Sequence, residues 1–158
     1  MAEQFAPHFA YLTLSDIEPQ IEPSRLNAMR EAGPKAVMVK RLDATMAGPG
    51  LWLGCDWVVT NPPWNLASCI SQHAMEHARS GVALLLRLSF LEATKERQWL
   101  KRNPPKSLIV LPRISFNGTG QTDSVCPAWF LWGPGVSRPG VHIFGKADAA
   151  QLALTLAQ

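Results

Sequence analysis

The stretch CDWVVTNPPWNL, residues 55–66, decides the fold. Its apolar residues 57–59 are of the aromatic and β-branched kind that suits a buried parallel strand. Pro62 and Pro63 end this strand, because proline has no N–H to donate to a neighbouring strand and holds φ near one value. The pattern therefore predicts a stiff, extended loop at the carboxyl end of a strand, which is the edge where open α/β sheets bind ligands.

This loop offers hydrogen-bond acceptors beside an aromatic ring. Asn61 has a side-chain carbonyl oxygen, and Pro62 has a backbone carbonyl without an N–H of its own. Two such acceptors suit an amino group, because they hold its hydrogens in their plane and turn its lone pair toward an electrophile. The face of Trp64 can stack on the ring that carries the amine. The alternative is a proline-rich turn that only shapes the chain.

On the carboxyl side of the loop, helices alternate with apolar strands. Residues 66–79 have helical spacing, and residues 82–86, the most apolar run, predict a buried strand. A helix over residues 92–102 is followed by strands over residues 107–111 and 126–132. This alternation predicts an α/β fold with a mostly parallel sheet.

Two strands are also predicted on the amino side. Residues 9–16 end in Asp16, residues 36–40 are followed by Asp43, and Ser24 is the expected N-cap of the helix between them. An acid at the tip of a strand is where nucleotide-binding sheets accept hydrogen bonds from ribose hydroxyls. For Asp16 a role in a turn or helix cap is an equal alternative, and for Asp43 the alternative is a solvated loop carboxylate.

The composition fits one globular domain over residues 1–158. The net charge of +3 permits a nucleic-acid partner without requiring one, since the chain has no Lys/Arg block. No run has the length of a membrane span, and residues 1–20 lack the order of a signal peptide, so we expect no membrane partner and a cytoplasmic protein.

No metal site is indicated. Cys55, Cys69 and Cys126 are widely spaced and form no C-x-x-C pair, which argues against both a zinc site and a disulfide framework. His73 and His77 have the four-residue spacing of metal ligands, but the sequence offers no third ligand near them. We therefore interpret them as ordinary histidines on a helix.

Asn61-Pro62-Pro63-Trp64 resembles the catalytic tetrapeptide [DNS]-P-P-[YFW] of the amino-group DNA methyltransferases. Other segments look like blocks of the small phage- and prophage-type N6-adenine DNA methyltransferases, in the same order. The stronger ones are GVALLLRLSFLE (81–92), NPPKSLIVLPRISFNGTG (103–120) and AWFLW (128–132), and the weaker ones are YLTLSDIEP (11–19) and RLDATM (41–46). The resemblance covers roughly residues 9–132 and is strongest over residues 55–132.

This resemblance implies a fold, a methyl donor and a substrate. The fold is a Rossmann-like class I methyltransferase sheet, mostly parallel with an antiparallel last strand. The donor is S-adenosylmethionine, with Asp16 at its ribose, Asp43 at its adenine and Asn61 beside it. The substrate is DNA, from which an adenine rotates out so that Asn61 and Pro62 hold its N6 amine and Trp64 stacks on it. Independently of the resemblance, the candidates for phosphate contacts are Arg87 and Arg113, with Arg97, Lys101, Arg102 and Lys106 as further ones. The alternative for all of them is an ordinary solvated charge.

The chain departs from the family in one respect. The family has a Gly-rich loop after its first strand, whereas residues 1–15 contain no glycine. We therefore expect the first strand and its loop to be missing. The chain is then a shortened enzyme, or a second copy or partner chain supplies the piece, or the catalytic half persists as a binding or regulatory protein. Transfer to RNA or to a protein glutamine is a further alternative.

Overall fold

The structure, a computed structural model, describes four parts of the chain, residues 6–46, 54–92, 94–112 and 125–145. By its internal contacts the chain divides into two compact units, Met1–Ala47 with Ala150–Gln158, and Gly48–Ala149. The strands of the first unit form a two-stranded sheet, and those of the second form a five-stranded sheet. A single domain over residues 1–158 stays a prediction.

The first unit is a parallel strand pair covered by a helix. Strands β1 (Tyr11–Asp16) and β2 (Ala36–Arg41) pair in parallel, and helix α1 (Pro23–Glu31) connects them. All three elements were predicted. Their apolar side chains form one small core, of Ala6, Met29 and Val37, with Leu12, Leu14, Ile21, Leu26 and Ala32 packed against it.

The start of α1 differs from the prediction. The helix begins at Pro23, and Glu22 occupies the N-cap position without a side-chain cap. Proline suits the first helical position because the N–H that it lacks would have no partner there, and its φ already fits a helix. Ser24 therefore lies within the first turn, and its prediction as the N-cap was wrong. Gly33, with φ of +129°, follows the helix in a conformation that favours glycine.

The second unit is built on a mostly parallel sheet. Its strands are β3 (Trp57–Thr60), β4 (Gly81–Arg87), β5 (Ser107–Val110), β6 (Pro127–Trp132) and β7 (Gly140–Ile143). They lie in the order β3-β4-β6-β5-β7. The pairs β3–β4 and β5–β7 are parallel, whereas β6 runs antiparallel to both β4 and β5. The predicted mixed α/β fold with a mostly parallel sheet is confirmed.

One detail of this sheet corrects the prediction. The antiparallel strand is the one predicted over residues 126–132, but it is not the last strand. The chain continues into β7, which the sequence did not predict and which pairs with β5 at the edge of the sheet. Because β6 lies between β4 and β5, it is buried along its whole length.

The core of the second unit lies around β4 and β6. All residues of β4 before Arg87 are buried, and Phe90 packs edge-on against Phe130 at 5.7 Å between ring centroids. Full burial of a Leu or Phe side chain contributes about 1.5–3 kcal/mol, so these strands form a rigid support. The loops that follow β3 and β4 are held at one edge of it.

Close packing fixes β3 against β4. The indole ring of Trp57 lies on Gly81, where a Cβ atom would overlap the ring, and a Cβ atom at Gly135 would lie 3.0 Å from it. The backbone oxygen of Asp56 accepts hydrogen bonds from the N–H groups of Ser80, at 2.8 Å, and Gly81, at 3.0 Å. Glycine is required at position 81 because the sheet leaves no room for a side chain.

The remaining helices are short. Helix α2 (Ala67–His77) follows a 3₁₀ turn at Trp64–Leu66, and helix α3 (Thr94–Arg102) follows another at Leu88–Leu91. Both α-helices were predicted within a few residues of their ends. Among the described residues, no helix combines the length and the apolar character needed to cross a membrane.

Candidate functional site

The Asn-Pro-Pro-Trp loop lies where the sequence predicted it. Strand β3 ends at Thr60, and the loop passes into the 3₁₀ turn that begins at Trp64. The carbonyl oxygen of Pro63 accepts a hydrogen bond from the N–H of Leu66 at 2.9 Å, which starts this turn and leads into α2. Because β3 and β4 are parallel, the loop shares an edge of the sheet with the end of β4.

The loop keeps its predicted functional side chains on the surface. Pro62 is buried and anchors the loop, whereas Asn61 and Pro63 are exposed and Trp64 is 39 % exposed. Neither the Asn61 side chain nor the Pro62 carbonyl makes a hydrogen bond to another described residue. The loop therefore presents an exposed amide side chain and an accessible indole, as the amine-binding hypothesis requires, whereas its second acceptor belongs to the buried Pro62.

Arg87 adds a positive charge to this loop. Its Cζ atom lies 3.3 Å from the centroid of the Trp64 ring, well within the range of a cation–π contact. At an exposed site such a contact contributes about 0.5–1 kcal/mol. The structure thus brings together Asn61, Trp64 and Arg87 at the ends of two adjacent parallel strands.

The sequence missed the contact between Arg87 and Trp64. The information lay in the register of the strands. Thr60 pairs with Leu84, so Arg87 lies just beyond the end of β3, beside the loop that contains Trp64. Sequence patterns had predicted both strands, but not that register.

The two expected donor contacts lie in the first unit. Asp16 is the last residue of β1, and its Oδ1 accepts a hydrogen bond from the N–H of Glu18 at 3.1 Å. Asp43 follows β2, and its Oδ1 accepts hydrogen bonds from the N–H of Thr45 at 2.8 Å and from its hydroxyl at 2.7 Å. Both bonds lower the pKa of the Asp43 carboxyl, the hydroxyl bond more strongly.

These local bonds give both acids a structural role. Each stabilises a turn at the carboxyl end of its strand. For Asp16 this is the alternative that the sequence left open, whereas for Asp43 the sequence offered a solvated loop carboxylate instead. A donor site shared by Asp16, Asp43 and Asn61 stays a prediction, since Asn61 belongs to the other unit.

The basic residues are spread over the second unit. Arg97 donates to the carbonyl of Glu92 at 3.3 Å, and Lys106 donates to the carbonyl of Pro134 at 3.4 Å. Lys101 and Arg102 are exposed at the end of α3. Arg113 lies outside the described residues. Of the expected phosphate contacts, only Arg87 is thus placed beside the loop.

The second Asn-Pro-Pro of the chain follows α3. Both the N–H and the side-chain Nδ2 of Asn103 donate to the carbonyl of Trp99, at 2.8 and 3.2 Å. The carbonyl of Asn103 accepts from the indole N–H of Trp132 at 3.0 Å. In the structure, these residues close a helix.

The described residues contain no group of three or more His, Cys, Asp or Glu side chains placed to hold a metal ion. His73 lies on α2, where its Nδ1 is 3.9 Å from Oε2 of Glu76. This spacing is that of neighbours on one helix face.

Comparison with known proteins gives no family for this chain. No family model matches it, and no curated protein is significantly similar to it. Its function is therefore argued from its residues and their geometry.

Proposed function

We propose that this chain is an S-adenosylmethionine-dependent DNA adenine-N6 methyltransferase, or a shortened relative of one. One observation carries the proposal. The side-chain oxygen of Asn61 and the carbonyl of Pro62 have no donor among the described residues, and they belong to the same loop as the accessible indole of Trp64. An adenine offers what this loop lacks, an amino group with two hydrogens on a flat ring.

The loop acts on the amine by holding it. The lone pair of an adenine amine is delocalised into the ring, so it is a poor nucleophile. Asn61 and Pro62 accept its two hydrogens and turn the lone pair out of the ring plane. S-adenosylmethionine, when bound, would supply a methyl group on a sulfonium. The N6 nitrogen would form the new C–N bond, the electron pair of the broken C–S bond would stay on sulfur, and one of the two amine hydrogens would leave as a proton to water. Pro63 keeps the loop rigid, and Trp64 stacks on the base.

The sheet also supports the proposal. A Rossmann-like methyltransferase fold accounts for a mostly parallel sheet with one reversed strand, and in the second unit β6 is such a strand. In the first unit, Asp16 and Asp43 lie at the carboxyl ends of parallel strands, where ribose and adenine of the donor would bind. Arg87, and Arg113 as predicted from the sequence, would contact the phosphates of DNA.

A second candidate follows from one observation. Asp16 and Asp43, the two acids expected at the donor, accept hydrogen bonds within their own turns. This favours a binding or regulatory protein that has kept the loop but does not turn over by itself.

Transfer of a tritiated methyl group tests the proposal. DNA, RNA and protein are offered in parallel with labelled S-adenosylmethionine, and we expect the label in DNA, on the N6 atom of adenine. Label in RNA or protein instead would reassign the substrate. Calorimetry with S-adenosylmethionine separates the two candidates. Binding without transfer to any acceptor would contradict the proposed methyltransferase activity. Absence of binding would favour the binding or regulatory protein.

A further inference from the structure

One face of the proposed base-stacking ring is covered by a side chain of the protein itself. The guanidinium of Arg87 lies over the Trp64 ring, with its Cζ 3.3 Å from the ring centroid. At this distance nothing fits between the two groups, since a stacked base needs about the same separation from the indole. A base can therefore stack on that face only after the guanidinium has left it.

Arg87 is held by little else. It is exposed at the end of β4, and it makes no ion pair or hydrogen bond through its side chain to another described residue. Its backbone is fixed by pairing with Pro127 in β6, so its displacement is a rotation of the side chain alone. The rotated guanidinium keeps all its N–H donors for a bidentate contact with an anion, and phosphate is the anion that lies next to a base in DNA.

We propose that Arg87 is a specificity-determining residue that selects bases joined to a phosphate backbone over free nucleosides. The inference rests on the proposed function, because it assumes that Trp64 stacks on a base. A nucleoside that stacks on this face must displace the guanidinium and gives it no new partner. A strand of DNA displaces it as well, but provides a phosphate in exchange. The contact between Arg87 and Trp64 therefore disfavours free nucleosides relative to bases within a DNA strand.

Two ligands and two variants test this exchange. The ligands are 2′-deoxyadenosine and a ten-residue oligodeoxythymidine with one central deoxyadenosine, each titrated at two salt concentrations. We expect Arg87→Ala to bind 2′-deoxyadenosine about two- to fivefold more tightly, which is the factor that an exposed cation–π contact represents. We expect it to bind the oligonucleotide more weakly, with a salt slope smaller by about 0.7, the value for one phosphate contact on a single strand.

Arg138→Ala is the matched control. It removes the same charge from an exposed position just before β7, at the opposite edge of the same sheet from Trp64. It should leave both affinities unchanged. The inference is overturned if Arg87→Ala fails to tighten the nucleoside, if it fails to weaken the oligonucleotide, or if Arg138→Ala reproduces its effects.

Trp64→Ala separates this inference from the proposed function. It should weaken both ligands by about 5- to 150-fold, the range for loss of one stacked base. If it weakens neither, Trp64 does not stack on a base, and both proposals fall. Opposite effects of Arg87→Ala on the two ligands would support the inference even if no methyl transfer were found. Methyl transfer together with equal effects on both ligands would overturn the inference alone.

Discussion

The chain contains the tripeptide Asn-Pro-Pro twice, at residues 61–63 and 103–105, and the structure treats the two copies differently. The first follows the half-buried edge strand β3, and its side-chain amide and the Pro62 carbonyl make no hydrogen bonds to other described residues. The second follows a helix, and the polar atoms of Asn103 are used by Trp99 and Trp132. A motif can act on a ligand only if the fold has not already used its hydrogen-bonding atoms.

The largest expected effect is on activity. We expect Asn61→Ala to abolish methyl transfer, because loss of one of two acceptors leaves the amine misplaced, which costs about a hundredfold or more. Asn103→Ala is the matched control and should leave transfer unchanged. Labelled methyl transfer, with the unfolding of each variant followed by circular dichroism, checks both. Transfer that persists in folded Asn61→Ala would mean that the amine is held elsewhere.

The next effect is on stability and concerns the tryptophan beside each copy. Trp132 is 3 % exposed and donates to Asn103, so Trp132→Phe leaves the half-buried carbonyl of Asn103 without its donor. We expect it to lower the free energy of unfolding by about 1–3 kcal/mol. Trp64→Phe changes an exposed side chain and should stay within about 0.5 kcal/mol. Urea titrations measure both free energies of unfolding. Equal losses would show that Trp64 and Trp132 contribute equally to stability, contrary to this prediction.

A smaller loss of stability is expected at Asn103 itself. Its Nδ2 donates to the carbonyl of Trp99 at the end of α3, and its carbonyl bond to Trp132 does not depend on the side chain. Asn103→Ala should therefore lower the free energy of unfolding by about 0.5–1.5 kcal/mol. Asn61→Ala, measured in the same urea titration, should lower it by less. The reverse order would contradict the distinction between the two copies.

The smallest effect concerns Asp43. Like the side chain of Asn103, its carboxylate is already engaged in hydrogen bonds within the chain. Thr45→Val removes the hydroxyl donor, so the pKa of Asp43 should rise toward its ordinary value of 3.8, while the remaining N–H bond keeps it from returning fully. A lowered pKa stabilises the fold above the ordinary value, and this stabilisation is lost as the pH falls through the lowered pKa. The difference in the free energy of unfolding between the unmodified protein and Thr45→Val should thus become smaller as the pH falls.

A carbon-13 NMR titration of the carboxyl groups measures this pKa. Thr13→Val, a change at an exposed position in the middle of β1, is the control and should leave it unchanged. An Asp43 pKa that does not move in Thr45→Val would mean that the hydroxyl bond does not set it.

The sequence predicted the elements that carry a local signal. Strand β4 was evident because its run of apolar residues is buried on both faces. Strand β7 was missed because it has four residues at the edge of the sheet, and its two aliphatic side chains, Val141 and Ile143, are 65 % and 81 % exposed. Such a strand has neither a continuous apolar run nor a buried alternation.

The site was predictable to the same extent. The place of Asn61 and Trp64 followed from a strand that ends in two prolines, which is a local property. The contact with Arg87 did not, because it depends on how β3 and β4 align across the sheet. The strand order was not predictable for the same reason, because the pairing of strands that are distant in sequence is not evident in the local sequence of either strand.

The position of the Asn-Pro-Pro-Trp loop depends on Gly81, which lies under Trp57 and is distant from the loop itself. Any side chain at position 81 would overlap the Trp57 ring and push β3 away from β4 at their amino ends. The orientation of β3 would change, and with it the position of the loop at its carboxyl end. A random screen for inactive variants should therefore recover substitutions of Gly81 alongside those of Asn61. Such variants would look like damage to the reactive centre, although the cause lies at the other end of the strand.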